Sequence, residues 1–122
     1  MNTRVRGIRG ATTVEQDTVA DIDRAVIALL SELFERNDLH NEDLVSVILT
    51  ATDDLHAKFP AASARAFGLG DVPLLCAREL DIVGATHRCI RVLVHVNTER
   101  SRDELHHVYL EGAVGLRDDL PT

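Results

Sequence analysis

With 122 residues, the chain suffices for one domain that buries roughly two-thirds of its unfolded surface around a single hydrophobic core, and a second domain is not expected. Thirteen Lys and Arg against twenty Asp and Glu leave a formal charge of −7, which repels nucleic acid and anionic membranes; no basic run interleaved with aromatics makes a local exception. No apolar leader opens the sequence and no apolar stretch nears the ~20 residues that cross a bilayer, so the expected setting is cytoplasmic.

The opening "MNTRVRGIRGATTVEQDT" holds three arginines in nine residues, and Arg4 to Arg9 reads as a short strand ending at Gly10. Asp17 or Thr18 can cap the helix that follows. Its Ile22, Val26, Leu29, Leu30, Leu33 and Phe34 recur at the three-and-four spacing of one buried stripe, which ends near Asn37, a residue tolerant of the left-handed conformation that closes helices. After "HNED", the run "LVSVILTAT" is β-branched and too short for a free-standing helix, so it reads as a mostly buried strand. In "FPAASARAFG", Pro60 suits a first helical turn and Gly68 a stop, which predicts a two-turn helix. "DVPLLCARE" is a second short strand and "RCIRVLVHV" the strongest one. Near the end "SRDE" has capping-box spacing, while "HHVYL" is a poor helix sequence and suits a short strand. Residues 1–122 form one domain, with 115–122 a tail expected to move.

Strands alternating with helices predict an α/β (α+β) domain, a single mixed sheet packed against one long helix, with short helices besides. Within Cys89 to Val96, the residues Ile90, Val92, Val94 and Val96 make one face wholly apolar, while Cys89, Arg91, Leu93 and His95 make the other mixed. The first face is the core beneath the helix. One helix cannot cover both, so a second subunit is expected on the other face, making a homo-oligomer.

Arg91 is the sharpest anomaly, a guanidinium hemmed by Ile90, Val92 and Leu93 that demands an anionic partner. That partner is either a ligand or an internal or intersubunit carboxylate such as Glu79, Asp81 or the C-terminus. By strand parity Arg4 and Arg6 share one side as solvated edge residues, whereas Arg9 falls on the other, between Gly7 and Gly10, where missing side chains let a ligand approach. Cys76 and Cys89 are expected as free thiols. The histidines at 40, 56, 87, 95, 106 and 107 include no HExxH spacing and fit surface or packing roles better than a metal. No GxSxG elbow, phosphate loop or dinucleotide glycine pattern occurs. Composition and spacing leave a small oligomeric domain whose arginines await a small anion.

Five segments together, "RGIRGATTVEQDT", "ATDDLHAKFPA", "VPLLCARE", "CIRVLVHVNT" and "HVYLEGAVGLRDDL", resemble in order and separation the trimeric α/β chorismate mutases, over about Arg6 to Leu120. The resemblance implies a cofactor-free, metal-free enzyme that rearranges chorismate to prephenate in phenylalanine and tyrosine biosynthesis. The reaction is a concerted pericyclic shift within one dianion, so the protein must hold a reactive conformer and stabilise negative charge growing on the breaking ether oxygen.

On matching motifs, the resemblance implies that Arg91 meets that ether oxygen, while Arg9 and Tyr109 grip the enolpyruvyl carboxylate. It implies that Glu79 and Cys76 bind the ring hydroxyl, and that Phe59 and Arg65 arrive from a neighbouring subunit of a homotrimer with sheets facing a shared centre. Leu74 and Leu75 would line the wall, and Leu116 and Arg117 would close the pocket. Ala62, Leu75 and Asp118 depart from the family pattern, removing a cation, a wall hydroxyl and a tail proline respectively. The competing reading is a trimeric small-carboxylate-binding module of related fold without mutase activity.

Overall fold

A computed structural model describes residues 2–116. Five strands form one sheet in the order β3-β2-β4-β1-β5. The long strands β1 (Arg4–Thr13), β2 (Leu44–Ala51) and β4 (Cys89–Thr98) pair antiparallel, with β4 in the middle. The short β3 (Leu74–Arg78) and β5 (Val108–Tyr109) add to the two edges in parallel, so the sheet is mixed, as expected. Helix α1 (Val19–Asn37) lies across one face, and α2 (Pro60–Ala64) continues through a wider turn over Arg65–Leu69 in which Gly68 takes φ 134°. The mean fold matches the sequence reading, a sheet backed by one long helix.

The stripe on α1 explains the packing. Ile22, Val26, Leu29, Leu30 and Leu33 are all essentially inaccessible, as are Ile8, Val47, Leu49, Ile90, Val94 and Val96 on the facing strands. Each such side chain leaving water contributes roughly 1.5–3 kcal/mol. The helix starts at Thr18, whose side chain accepts from the Asp21 N–H at 3.1 Å. Asp17 is not the cap; its Oδ1 instead accepts the His56 and Ala57 N–H groups, both at 2.9 Å, and ties down the loop after β2. The left-handed closing residue is Asp38, at φ 49°, one position beyond the expected Asn37. Asn37 itself is fully buried.

Two expectations for the N-terminal strand need correcting. β1 does not end at Gly10 but stays paired with β4 as far as Thr13↔Cys89. Gly10 makes room for the helix rather than for a ligand, since a Cβ there would lie 2.9 Å from Leu33 Cδ1 and 3.1 Å from Leu29 Cδ1. The edge reading of Arg4 and Arg6 holds in part. β5 covers β1 only at Gly10 and Ala11, and while Arg4 is exposed, Arg6 donates through Nε to the Arg100 carbonyl at 3.3 Å.

Candidate active site

The face of the sheet away from α1 is built by alternation. Arg9 and Ala11 on β1 stand opposite Leu93 and Arg91 on β4, and these stand opposite Ile48 and Thr50 on β2. Ile48 and Thr50 in turn register with Leu75 and Ala77 on β3, and Glu79 follows one step beyond the strand. The face is apolar yet uncovered within the chain: Leu75 is 63 % exposed. At its centre lies a cavity of about 280 Å³ lined by Arg9, Ala11, Ile48, Thr50, Glu79, Arg91, Leu93, Tyr109 and Leu116.

Arg91 is not the buried charge its neighbours in sequence suggest. Ile90 and Val92 point to the core while Arg91 points away, and its side chain is 46 % exposed. Its Nε lies 3.4 Å from Glu79 Oε2, so the internal ion pair considered from sequence exists and the guanidinium also borders an open cavity. Glu79 is further held by Thr50, whose hydroxyl donates to the same Oε2 at 2.5 Å. Thr50 does not stand out in the sequence because "LVSVILTAT" reads as a mostly buried strand. The register Thr50↔Arg91 is the signal that exposes it. On the strand beside Arg91, Cys89 is 1 % exposed; burial pushes its thiol pKa up, against the opposing pull of Arg91.

Thus Arg9, Glu79, Arg91, Tyr109 and Leu116 come together around this cavity, and among the described residues Leu74, Leu75, Cys76, Phe59 and Arg65 do not line it. Leu74 and Cys76 alternate with Leu75 and Ala77, so they turn to the helix side and pack against the core. Within one chain Cys76 and Glu79 line different openings. Cys76 lines a second opening of about 420 Å³ with Phe59, Lys58, His56, Thr52 and Arg78. Phe59 is 75 % exposed and Arg65 is also exposed, on the wide turn after α2. Asp23 anchors that helix from α1, accepting Lys58 Nζ and Ser63 Oγ at 2.6 Å each. Arg117 and Asp118 lie outside the described residues. Among the described residues, no group of three or more His, Cys, Asp or Glu side chains forms a metal cage, and both cysteines are free.

Residues 5–120 match the family model for chorismate mutase type I. The chain belongs to that family. It is 47 % identical over 117 residues to chorismate mutase AroH of Bacillus subtilis, covering 95 % of this chain and 92 % of the relative. To chorismate mutase AroH of Thermus thermophilus it is 50 % identical over 119 residues, covering 97 % and 98 %. A solved structure titled chorismate mutase from Clostridium thermocellum superposes with a TM-score of 0.86 at 44 % identity, over 88 % of this chain and 96 % of that one. Matches of this extent to mutases favour an isomerase of the chorismate mutase family over the carboxylate-binding module.

Proposed function

We propose that the chain converts chorismate to prephenate in the cavity between β1, β2, β4 and Tyr109. The observation that carries the proposal is the meeting of two arginines, a glutamate and a tyrosine around about 280 Å³ of otherwise apolar wall in a chain of this family. A dianion entering there exchanges water for Arg9 and Arg91, and the low-polarity walls of Ile48, Leu93 and Leu116 strengthen both contacts. Arg9 and Tyr109 hold the enolpyruvyl carboxylate, which restricts the flexible arm to the reactive geometry. Arg91 faces the ether oxygen and stabilises the charge that grows there as the bond breaks. Glu79, fixed by Thr50 and Arg91, orients the ring through its hydroxyl. The rearrangement is intramolecular, so no group on the protein need give or take a proton.

The working enzyme in this reading is a homotrimer whose open sheet faces meet at a common centre. Exposed Leu75 and half-exposed Ile48 and Leu93 are then covered by neighbouring copies. Phe59 and Arg65 of a neighbouring copy complete each pocket, and the opening that Phe59 shares with Cys76 makes Cys76 and Leu74 part of the same contribution. The two free thiols suit a reducing cytoplasm.

The test is the ultraviolet disappearance of chorismate with wild-type protein beside Arg91→Ala, the product being identified by acid conversion of prephenate to phenylpyruvate. Turnover in wild type and a loss of about 10²–10³ or more in kcat with Arg91→Ala is expected. Near-normal turnover in the variant removes Arg91 from the mechanism, and none in wild type overturns the assignment. Light scattering should give a particle three times 13.4 kDa, and an active monomer would exclude the interfacial pocket.

A further inference from the structure

The pairing of β5 with β1 spans only Gly10↔Val108 and Ala11↔Tyr109, so the main-chain ladder stops one residue short of Arg9. The Arg9 N–H nevertheless has an acceptor. It donates to Nδ1 of His107 at 2.9 Å, an imidazole standing in for the carbonyl that a longer ladder would supply. A ring nitrogen that accepts carries no proton, so the neutral ring bears its hydrogen on Nε2. Burial, and then His106 beside it, lowers the pKa of His107, which keeps Nδ1 available at neutral pH.

The segment carrying this ring is clamped in turn. Asn37, at the buried end of α1, accepts the His106 N–H through Oδ1 at 2.7 Å and donates through Nδ2 to the His106 carbonyl at 2.9 Å. Its own carbonyl accepts from Arg100. The main chain just before His107 is thereby tied to the helix, and two residues after His107 the side chain of Tyr109 reaches the cavity. One imidazole therefore links the strand of Arg9 to the strand of Tyr109.

We propose that His107 is a positioning residue: by accepting the Arg9 N–H, it holds Arg9 and Tyr109 at the separation needed to grip one carboxylate between them. The role rests on the mutase reading of the cavity, and His107 acts through Arg9 without touching the substrate.

The experiment compares wild type with His107→Phe, His107→Gln and His107→Asn in chorismate kinetics, thermal melts and hydrogen exchange of the Arg9 amide by nuclear magnetic resonance. Phe keeps a ring but no acceptor, and Gln carries its oxygen nearer the place of Nε2. Both are expected to raise KM, lower kcat/KM about tenfold and speed Arg9 exchange, the consequence of an orphaned N–H. Asn puts Oδ1 close to the place of Nδ1 and is expected to recover most of the loss. Should Phe fail to fold, Gln remains the negative partner to Asn. Wild-type kcat/KM in Gln, or losses that follow the melting temperature with no advantage for Asn, would overturn the proposal. Wild type that leaves chorismate unchanged defeats the mutase reading first. Arg9 exchange then still decides whether the imidazole pins the strand, equal protection in wild type, Gln and Asn meaning that it does not.

Discussion

The two faces of β4 differ by one residue of register and by everything else. Ile90, Val92, Val94 and Val96 vanish beneath α1 at 3 % exposure or less, while Arg91, one step away, keeps nearly half of its side chain in contact with water. The helix-covered face is closed within the chain and its residues are interchangeable in kind: aliphatic, of suitable volume. The other face is apolar but unfinished, and its few polar groups are particular. Arg91, Glu79 and Thr50 form a connected set in which replacing one strands the others. The first face carries the core and the second the cavity in which the chemistry is proposed, although both are written into the same strand.

The sharpest test of that division is a substitution on the closed face. Leu33→Ala, near the C-terminal end of the α1 stripe, should cost about 2–5 kcal/mol in urea unfolding while the folded fraction keeps its kcat. A matching loss of kcat in fully folded protein would show that the two faces are coupled. On the open face, Thr50→Val keeps the volume and removes the hydroxyl that holds Glu79. It should lower kcat/KM about tenfold with little change in melting temperature, and Thr50→Ser should restore activity.

A smaller effect is expected with acid. His107 is held below the ordinary 6.5, chiefly by burial and then by His106, with the Arg9 main chain as its hydrogen-bond partner. Because the folded pKa is the lower one, this stability is fully present above about pH 6.5 and fades as pH falls through the folded value. His107→Asn should lack that decline in urea melts. A separate loss belongs to Asp23 and Asp54, whose pKa values lie below the usual 3.8. For Asp23 the Lys58 and Ser63 bonds lower it; for Asp54 burial works upward but the Thr52 hydroxyl and the Arg88 N–H prevail. Their contribution is present above 3.8 and fades only as pH falls through those lowered values. Least of all, Cys89 should resist alkylation in native protein and react once unfolded, since it is buried and its thiolate disfavoured. Rapid native labelling of Cys89 would mean that the end of β4 opens readily.

The α1 stripe, the five strands, the two faces of β4 and the capping box of Ser101 and Glu104 are legible in the sequence, because periodicity and capping are local properties. The family motifs marked Arg9, Glu79, Arg91 and Tyr109, which the fold then gathers around one cavity. Less was legible wherever a residue's role depends on a partner distant in sequence. Gly10 reads locally as the end of a strand, whereas Leu29 and Leu33, packed against it, set its role. Arg91 reads as buried because its immediate neighbours Ile90 and Val92 are apolar, and those two face the other way.

The sequence by itself determined which segments are helix and strand, which stripe makes the core and which charged residues merit attention. Only the tertiary structure decided that Glu79 reaches Arg91 while Cys76 turns toward Phe59, that Thr50 braces the glutamate, and that His107 stands beneath Arg9. The physical reason is that period and propensity act over a few residues. Contacts between residues 29 to 98 positions apart are set by the packing of the whole sheet on its helix.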